Sequence, residues 1–329
     1  MHIKNIKSNI VLVGAGYWGT NITKNLIKLE VKKIIICDKN YSNCKMLKRR
    51  FPKHISINNN FKSLINDNKN KIFIFATPPS SNVNLISQAL KKNKKIFVEK
   101  PGFKNLNDLK KLKVKFGTGL TKLSFGYIYM FNNYIKYIKK FIKNKKNGKL
   151  LYIKFQRQNL GPIRNDVNVS YDLSSHDISI LLYLFNNKIK LINSHAYKIL
   201  RKDISDISSL SFKIKNVYAD INNSWLNPDK VRRIIVITSK KMLLFDEMKP
   251  INKIKIFNKY AEYPKINKLK NNFFFKRAKI YEGNNFEPKI KDNDSLYDEI
   301  NYFLSNKNKN IIDFKFGFNV LSILDKIKN

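Results

Sequence analysis

Acidic residues are scarce in this chain of 329 residues: 23 aspartates and glutamates stand against 65 lysines and arginines, for a formal net charge of +42. Cysteine is scarcer still. Cys37 and Cys44 are the whole complement, too few for the disulfide framework of a secreted scaffold. No apolar run approaches the roughly 18 to 20 residues that span a bilayer, and the stretch before the first apolar strand is too short for a signal peptide. The expectation is a protein of the reducing cytoplasm with no membrane partner. Arginine is also rare, confined to positions 49, 50, 157, 164, 201, 232, 233 and 277, so the basic excess is lysine, scattered along the chain beside heavy use of Ile and Asn. Those three residues are the ones A/T-rich codons encode, which accounts for the charge without a polyanion. Zinc-ligand spacing, an RNP aromatic pattern and a basic arm are all missing, so neither nucleic acid nor a metal is expected as a partner. Internal repeats and a disordered linker are missing as well.

What is present begins at Ile10. Ile10 to Val13 is a branched apolar run suited to a strand buried on both faces, and it leads into Gly14-Ala-Gly16-Tyr17-Trp18-Gly19. In this G-x-G-x-x-G turn Gly14 allows the sharp bend, Gly16 lets backbone approach a pyrophosphate, and Gly19 lets the next helix pack close. Tyr17 to Leu29 reads as that helix, with its N-terminal amides facing the phosphates. A second strand, Lys33 to Cys37, ends at Asp38, near the roughly 20-residue offset of an acid that binds the adenosine ribose.

The alternation continues. Helices are expected at 42–51, 60–66, 82–91 and 107–116, and strands at 55–57, 71–76, 95–98 and 123–129. Strands alternating with helices call for a doubly wound parallel sheet, with Gly14, Asp38, Thr77 and Glu99-Lys100 along the rim where its strands end. The boundary is expected near residues 120 to 125, giving domains 1–122 and 123–329. In the second, helices are expected at 132–143 and 172–185. Strands at 150–158, 189–199, 207–214, 217–225, 231–238 and 241–246 predict an open, mostly antiparallel mixed sheet, an α+β domain. The stretch 252–284 has no clear assignment, and helices at 296–304 and 316–327 close the chain.

The order Gly14-Ala-Gly-Tyr-Trp-Gly19, Ala76-Thr-Pro78, Glu99-Lys-Pro101, then Asp172 and His176 ahead of an apolar helix resembles the Gfo/Idh/MocA family of NAD(P)-dependent sugar and cyclitol oxidoreductases. The segments 156–161, 164–168, 171–177 and 224–233 look similar to its nucleotide-sugar branch, the UDP-N-acetylglucosamine 3-dehydrogenases among them. The resemblance implies a Rossmann domain that binds NAD, with Gly14, Gly16, Tyr17, Trp18, Gly19, Asp38, Thr77, Pro78, Glu99 and Lys100 as cofactor contacts. Asp38 favours NAD over NADP, because a carboxylate repels a 2′-phosphate. Lys100 is implied to hold the hydroxyl being oxidised and His176 to accept its proton, with Asp172 orienting the ring. An imidazole suits a general base at cellular pH.

Tyr127, Asn132, Arg157, Asn159, Arg164 and Asn168 are the weaker substrate candidates, the arginines because a guanidinium suits a diphosphate. Each has a structural alternative: packing for Tyr127 and Asn132, bonding to backbone or to a second subunit for the rest, and an N-cap for Asp172. The resemblance also implies a homodimer or homotetramer paired through the second sheet. The implied substrate is a UDP-linked N-acetylated sugar, oxidised at a secondary hydroxyl, C3, for envelope glycan or lipid synthesis. Two other readings stay open: an inositol or free-monosaccharide dehydrogenase, and a non-catalytic NAD-responsive regulator. Asn82, Asn133 and Tyr171 stand where the family often carries His, Pro and Trp, which bears on substrate fit.

Overall fold

Short apolar runs closed by polar turns set the first part of the chain. In a computed structural model that describes residues 9–186, 188–263, 278–305 and 310–327, they form β1 (Asn9–Val13), α1 (Tyr17–Lys28), β2 (Ile34–Cys37), α2 (Tyr41–Arg50), β3 (Ile55–Ile57) and α3 (Phe61–Asn66). There follow β4 (Asn70–Phe75), α4 (Pro79–Lys91), β5 (Lys95–Glu99), α5 (Leu106–Phe116) and β6 (Leu123–Gly126). Next come α6 (Asn133–Lys143), β7 (Leu150–Gln158), α7 (Ser175–Leu184), β8 (Lys190–Tyr197), β9 (Ile207–Ile214), β10 (Val217–Ser224), β11 (Val231–Thr238) and β12 (Met242–Asp246). Last are β13 (Ile254–Phe257), β14 (Lys259–Glu262), β15 (Lys279–Glu282), α8 (Ser295–Leu304) and α9 (Phe314–Leu324). The unassigned stretch 252–284 thus contains β13 to β15, and its residues 264–277 lie outside the described residues.

Contacts divide the chain into two units, Met1–Phe131 with Asn293–Asp325, and Asn132–Asp292 with Lys326–Asn329. The division falls at 131/132 rather than 122/123, and residues 293–325 return to the first unit.

The first unit holds a six-stranded parallel sheet in the order β3-β2-β1-β4-β5-β6. Ile10, Leu12, Ile36, Ile74 and Phe97 are wholly buried in it, as strands covered on both faces require. The abundant Asn does local work here: Asn40, Asn60 and Asn105 each accept a backbone N–H at the start of a helix, a cap worth about 1 kcal/mol. α4 starts three residues before the expected point, because Pro79 at its first position needs no hydrogen-bond partner for its nitrogen. β6 stops at Gly126 instead of 129, giving way to a 3-10 turn at Ile128–Met130. The returning segment completes the core. α8 packs on α1 and α9 on β6 and α5, and Phe125 donates its N–H to the Ile312 carbonyl at 2.8 Å.

The second unit holds a seven-stranded sheet in the order β13-β12-β11-β7-β10-β9-β8. Only β7 and β10 run parallel, and every other neighbour is antiparallel. Alternation along β7 buries Ile153, Phe155 and Arg157 on one face and leaves Tyr152, Lys154 and Gln156 half-covered on the other. α7 is apolar nearly all round and buried through Ile178, Ile180, Leu181 and Leu182. No helix among the described residues is long and apolar enough to cross a membrane.

Candidate active site

The glycine turn opens the rim of the first unit. Gly14 has φ of +99°, and a Cβ there would stand 2.6 Å from the Ala76 carbonyl oxygen; only glycine fits. A Cβ on Gly19 would collide with the Gly14 carbonyl, so the helix sits directly against the turn. A Cβ on Gly16 would meet nothing within 4 Å. Gly16 is the N-cap of α1 and supplies no side-chain cap, so the helix presents bare amides at an open spot, the arrangement that binds a phosphate. Tyr17 and Trp18 flank it, 79% and 36% exposed.

Asp38 directly follows β2, and its two oxygens accept the N–H groups of Ala15 at 2.6 Å and Asn40 at 2.8 Å. The carboxylate is thereby held against the glycine turn. Cys37 beside it is buried, and burial pushes its thiol up to about 11, so it stays protonated and unreactive.

Thr77 and Pro78 follow β4, and Glu99 and Lys100 stand at the end of β5, before a cis peptide to Pro101. Buried Asn82 joins the two loops. It accepts the Thr77 hydroxyl at 2.5 Å and donates to the Gly102 carbonyl at 2.6 Å. Sequence reasoning noticed Asn82 only as a departure from a family pattern. Its place in the first turn of α4, right behind Thr77-Pro78-Pro79, was the available signal. Tyr127 belongs to the core of this unit, 1% exposed and stacked against Phe125, so packing and not sugar contact is what its position gives.

The remaining candidates lie in the second unit. Asn132 caps α6, accepting the N–H groups of Tyr134 and Ile135. Asp172 and His176 are not on one regular helix: residues 170–174 form a single π-helical turn, and α7 begins at Ser175. Such single turns are frequent at functional sites. Asp172 is gripped from two sides, by Arg164 at 3.5 Å and by the indole N–H of buried Trp225 at 3.3 Å. Arg164 also pairs with Asp166 at 2.5 Å and holds that carboxyl below its ordinary range. The side chain of Asn168, just ahead of the π turn, accepts the Tyr171 N–H at 2.9 Å. His176, half-buried, follows on the first turn of α7.

Arg157 is occupied within the fold. Its guanidinium forks onto Asp177 through Nε at 3.0 and 3.2 Å and through Nη2 at 2.9 Å, and both side chains are buried. Asp177 also accepts the Asn223 amide at 3.1 Å, and Asn223 in turn accepts the Ser174 hydroxyl. This network, which the sequence does not announce, fastens the start of α7 to β7 and β10. Asn159 likewise serves its own loop, bonded to the Gly161 carbonyl and to Arg232.

The family model for oxidoreductases with an NAD-binding Rossmann fold, Gfo/Idh/MocA, matches residues 8–119. The match lies within the first unit and takes in the glycine turn, Asp38 and the Glu99-Lys100 step. No curated protein matches the sequence. Solved structures match in fold over nearly the whole chain. UDP-N-acetylglucosamine 3-dehydrogenase GnnA from Acidithiobacillus ferrooxidans has a TM-score of 0.75 at 16% identity, covering 98% of this chain and 97% of its own. A myo-inositol dehydrogenase from Corynebacterium glutamicum gives 0.75 at 16%, covering 97% and 95%. GenD2 from gentamicin A biosynthesis, solved with NAD, gives 0.77 at 12%, covering 99% and 94%. NAD is the cofactor that this segment fits: the bare amides, the open Gly16 and the Asp38 carboxylate suit a dinucleotide.

Proposed function

We propose that the protein is an NAD-dependent dehydrogenase that reversibly oxidises a secondary hydroxyl, C3, of a UDP-linked N-acetylated sugar, in envelope glycan or lipid synthesis. The observation that carries the cofactor half is the open Gly16 position at the N-terminus of α1, beside the Asp38 carboxylate. A carboxylate there accepts ribose hydroxyls and repels a 2′-phosphate, which favours NAD over NADP. The sugar half is supported by the Glu99-Lys100-Pro101 turn on the same rim, by His176 on α7, and by the likeness in fold to GnnA. The myo-inositol dehydrogenase likeness supports a free cyclitol as the second reading.

NAD, held by the amides after Gly16 and by Asp38, would supply the hydride acceptor. The chain supplies the rest. The Lys100 ammonium hydrogen-bonds the hydroxyl oxygen and stabilises the alkoxide character that develops as the proton leaves. The His176 imidazole takes that proton. Asp172, gripped by Arg164 and Trp225, sits on the turn that leads into α7 and orients the His176 ring. Arg164 and Asn168, which precede that turn, stand as diphosphate and sugar candidates. The half-covered face of the second sheet, with Tyr152, Tyr218, Ile235 and Leu244, is proposed to pair two copies of the chain, which light scattering reads directly.

The test is the absorbance of reduced nicotinamide, followed against UDP-sugars, free sugars and inositols. The expected result is turnover of a UDP-N-acetylated sugar, loss of binding when UDP is removed, and a drop of about 10²-fold or more in kcat for His176→Ala. A His176→Ala variant as active as the parent overturns the base assignment. Cofactor binding without turnover of any sugar, unaffected by Lys100→Ala, identifies a regulator instead.

A further inference from the structure

Among the buried polar atoms of the first unit that have no hydrogen-bond partner among the described residues are Glu99 Oε1, Glu299 Oε2 and the Tyr127 hydroxyl. The two carboxyl groups converge on one peptide through their other oxygens. Glu99 ends β5 in parallel register with Gly126, and its Oε2 lies 3.0 Å from where a Cβ on Gly126 would stand. The next residue, Tyr127, donates its backbone N–H to Glu299 Oε1 at 2.5 Å. Both carboxyls therefore flank the Gly126–Tyr127 peptide, Glu299 reaching it from α8 with no exposure to solvent. Lys100 is the residue directly after Glu99.

Two carboxylates cannot share such a place as two charges. Burial pushes Glu99 up to about 7, opposed by the charge of neighbouring Lys100. Burial and then the charge of Glu99 push Glu299 well above the ordinary range. The remaining group against the pair, the Tyr127 phenol, is raised by burial and stays neutral. The two carboxyls titrate as a unit in which Glu99 ionises first and Glu299 keeps its proton.

We propose that Glu99 and Glu299 are a positioning pair for Lys100: Glu299 stays protonated and hydrogen-bonds the Glu99 carboxylate, whose single negative charge anchors the Lys100 ammonium at the rim. Glu299 Oε1 is already fixed as an acceptor by Tyr127, which leaves Oε2 to carry the proton. A glutamine at 299 reproduces this arrangement, with its oxygen toward Tyr127 and its amide toward Glu99. The role of Lys100 rests on the proposed function; the protonation of the pair does not.

Infrared difference spectra of the full-length protein read that proton without substrate or cofactor. At pH 8 a protonated-carboxyl band is expected in the parent and none in Glu299→Gln. Absence of the band in the parent, or its persistence in the variant, overturns the proposal. The second readout is the pH profile of sugar oxidation. Its limb near pH 7 is expected to survive in Glu299→Gln and to move up by about one unit in Glu299→Ala, about a tenfold loss at pH 7. A glutamine variant as impaired as the alanine variant overturns the positioning role. Should the alanine variant not fold, the infrared outcome on Glu299→Gln decides alone. A parent protein that oxidises no sugar counts against the proposed function and leaves the infrared outcome standing.

Discussion

The rim of the first unit and the α7 region of the second are built on opposite principles. The rim is backbone: two glycines that tolerate no Cβ, a third with empty space beside it, and strand ends that a parallel sheet aligns of necessity. The α7 region is side chain: Arg157, Asp177, Asn223 and Ser174 in one network, Arg164, Asp166, Asp172 and Trp225 in another. A site made of backbone keeps its shape under most substitutions and fails at a few points. A site made of charge pairs depends on every partner.

The sharpest way to break that contrast is Asp177→Ala. It leaves the Arg157 guanidinium buried without its carboxylate, and the expected loss is about 3–5 kcal/mol by urea unfolding. A variant as stable as the parent removes the network from the account of α7. Next is Gly14→Ala, which combines a left-handed φ with a Cβ 2.6 Å from the Ala76 carbonyl. It should lower stability by about 3 kcal/mol and abolish NADH binding as read by fluorescence. Gly16→Ala, with open space around its Cβ, should leave stability unchanged and weaken binding only. Equal effects of the two substitutions would contradict the geometry of the turn.

A smaller effect is expected from Glu299→Gln. Because the folded-state values of Glu99 and Glu299 lie above the ordinary 4.5, their stabilisation is full below about pH 4.5. It is lost as pH rises through about 7 for Glu99 and higher for Glu299. Removing one of the two ionisable groups should flatten the fall in stability between pH 5 and 8. An unchanged slope would place the titrating groups elsewhere. Smallest is the exposed pair Lys28–Asp294, 2.9 Å apart. Asp294 also caps α8, so Asp294→Ala should cost about 1 kcal/mol and Lys28→Ala about 0.5 or less. Equal losses would mean that the cap contributes nothing.

The same contrast explains what the sequence made legible. The glycine turn, Asp38 and the Glu99-Lys100 step could be read because backbone conformation restricts residue type at fixed short spacings, and the strand pattern from Ile10 to Val98 followed from apolar runs. The partners of Asp177 could not be read: Arg157 lies 20 residues before it and Asn223 lies 46 after it. Only the sheet, by setting Asn223 opposite Arg157 in register, brings them together. Arg157 had looked like a diphosphate ligand because it is a rare arginine, a signal that does not distinguish an inward from an outward fork. The end of β6 is hidden for a local reason, since the apolar residues continue past Gly126 through Tyr127, Ile128 and Tyr129 and the turn into the 3-10 segment does not interrupt them.

The return of residues 293–325 to the first unit has a consequence for how the protein is born. A ribosome finishes the six parallel strands by residue 126, yet α8 and α9, which cover α1, α5 and β6, emerge only after residues 132–292 have been made. At bacterial or eukaryotic elongation speeds that delay is roughly ten to thirty seconds. During it the nascent sheet exposes Phe125, which α9 later seals through Gly317, and it is the interval in which a holdase chaperone would be needed.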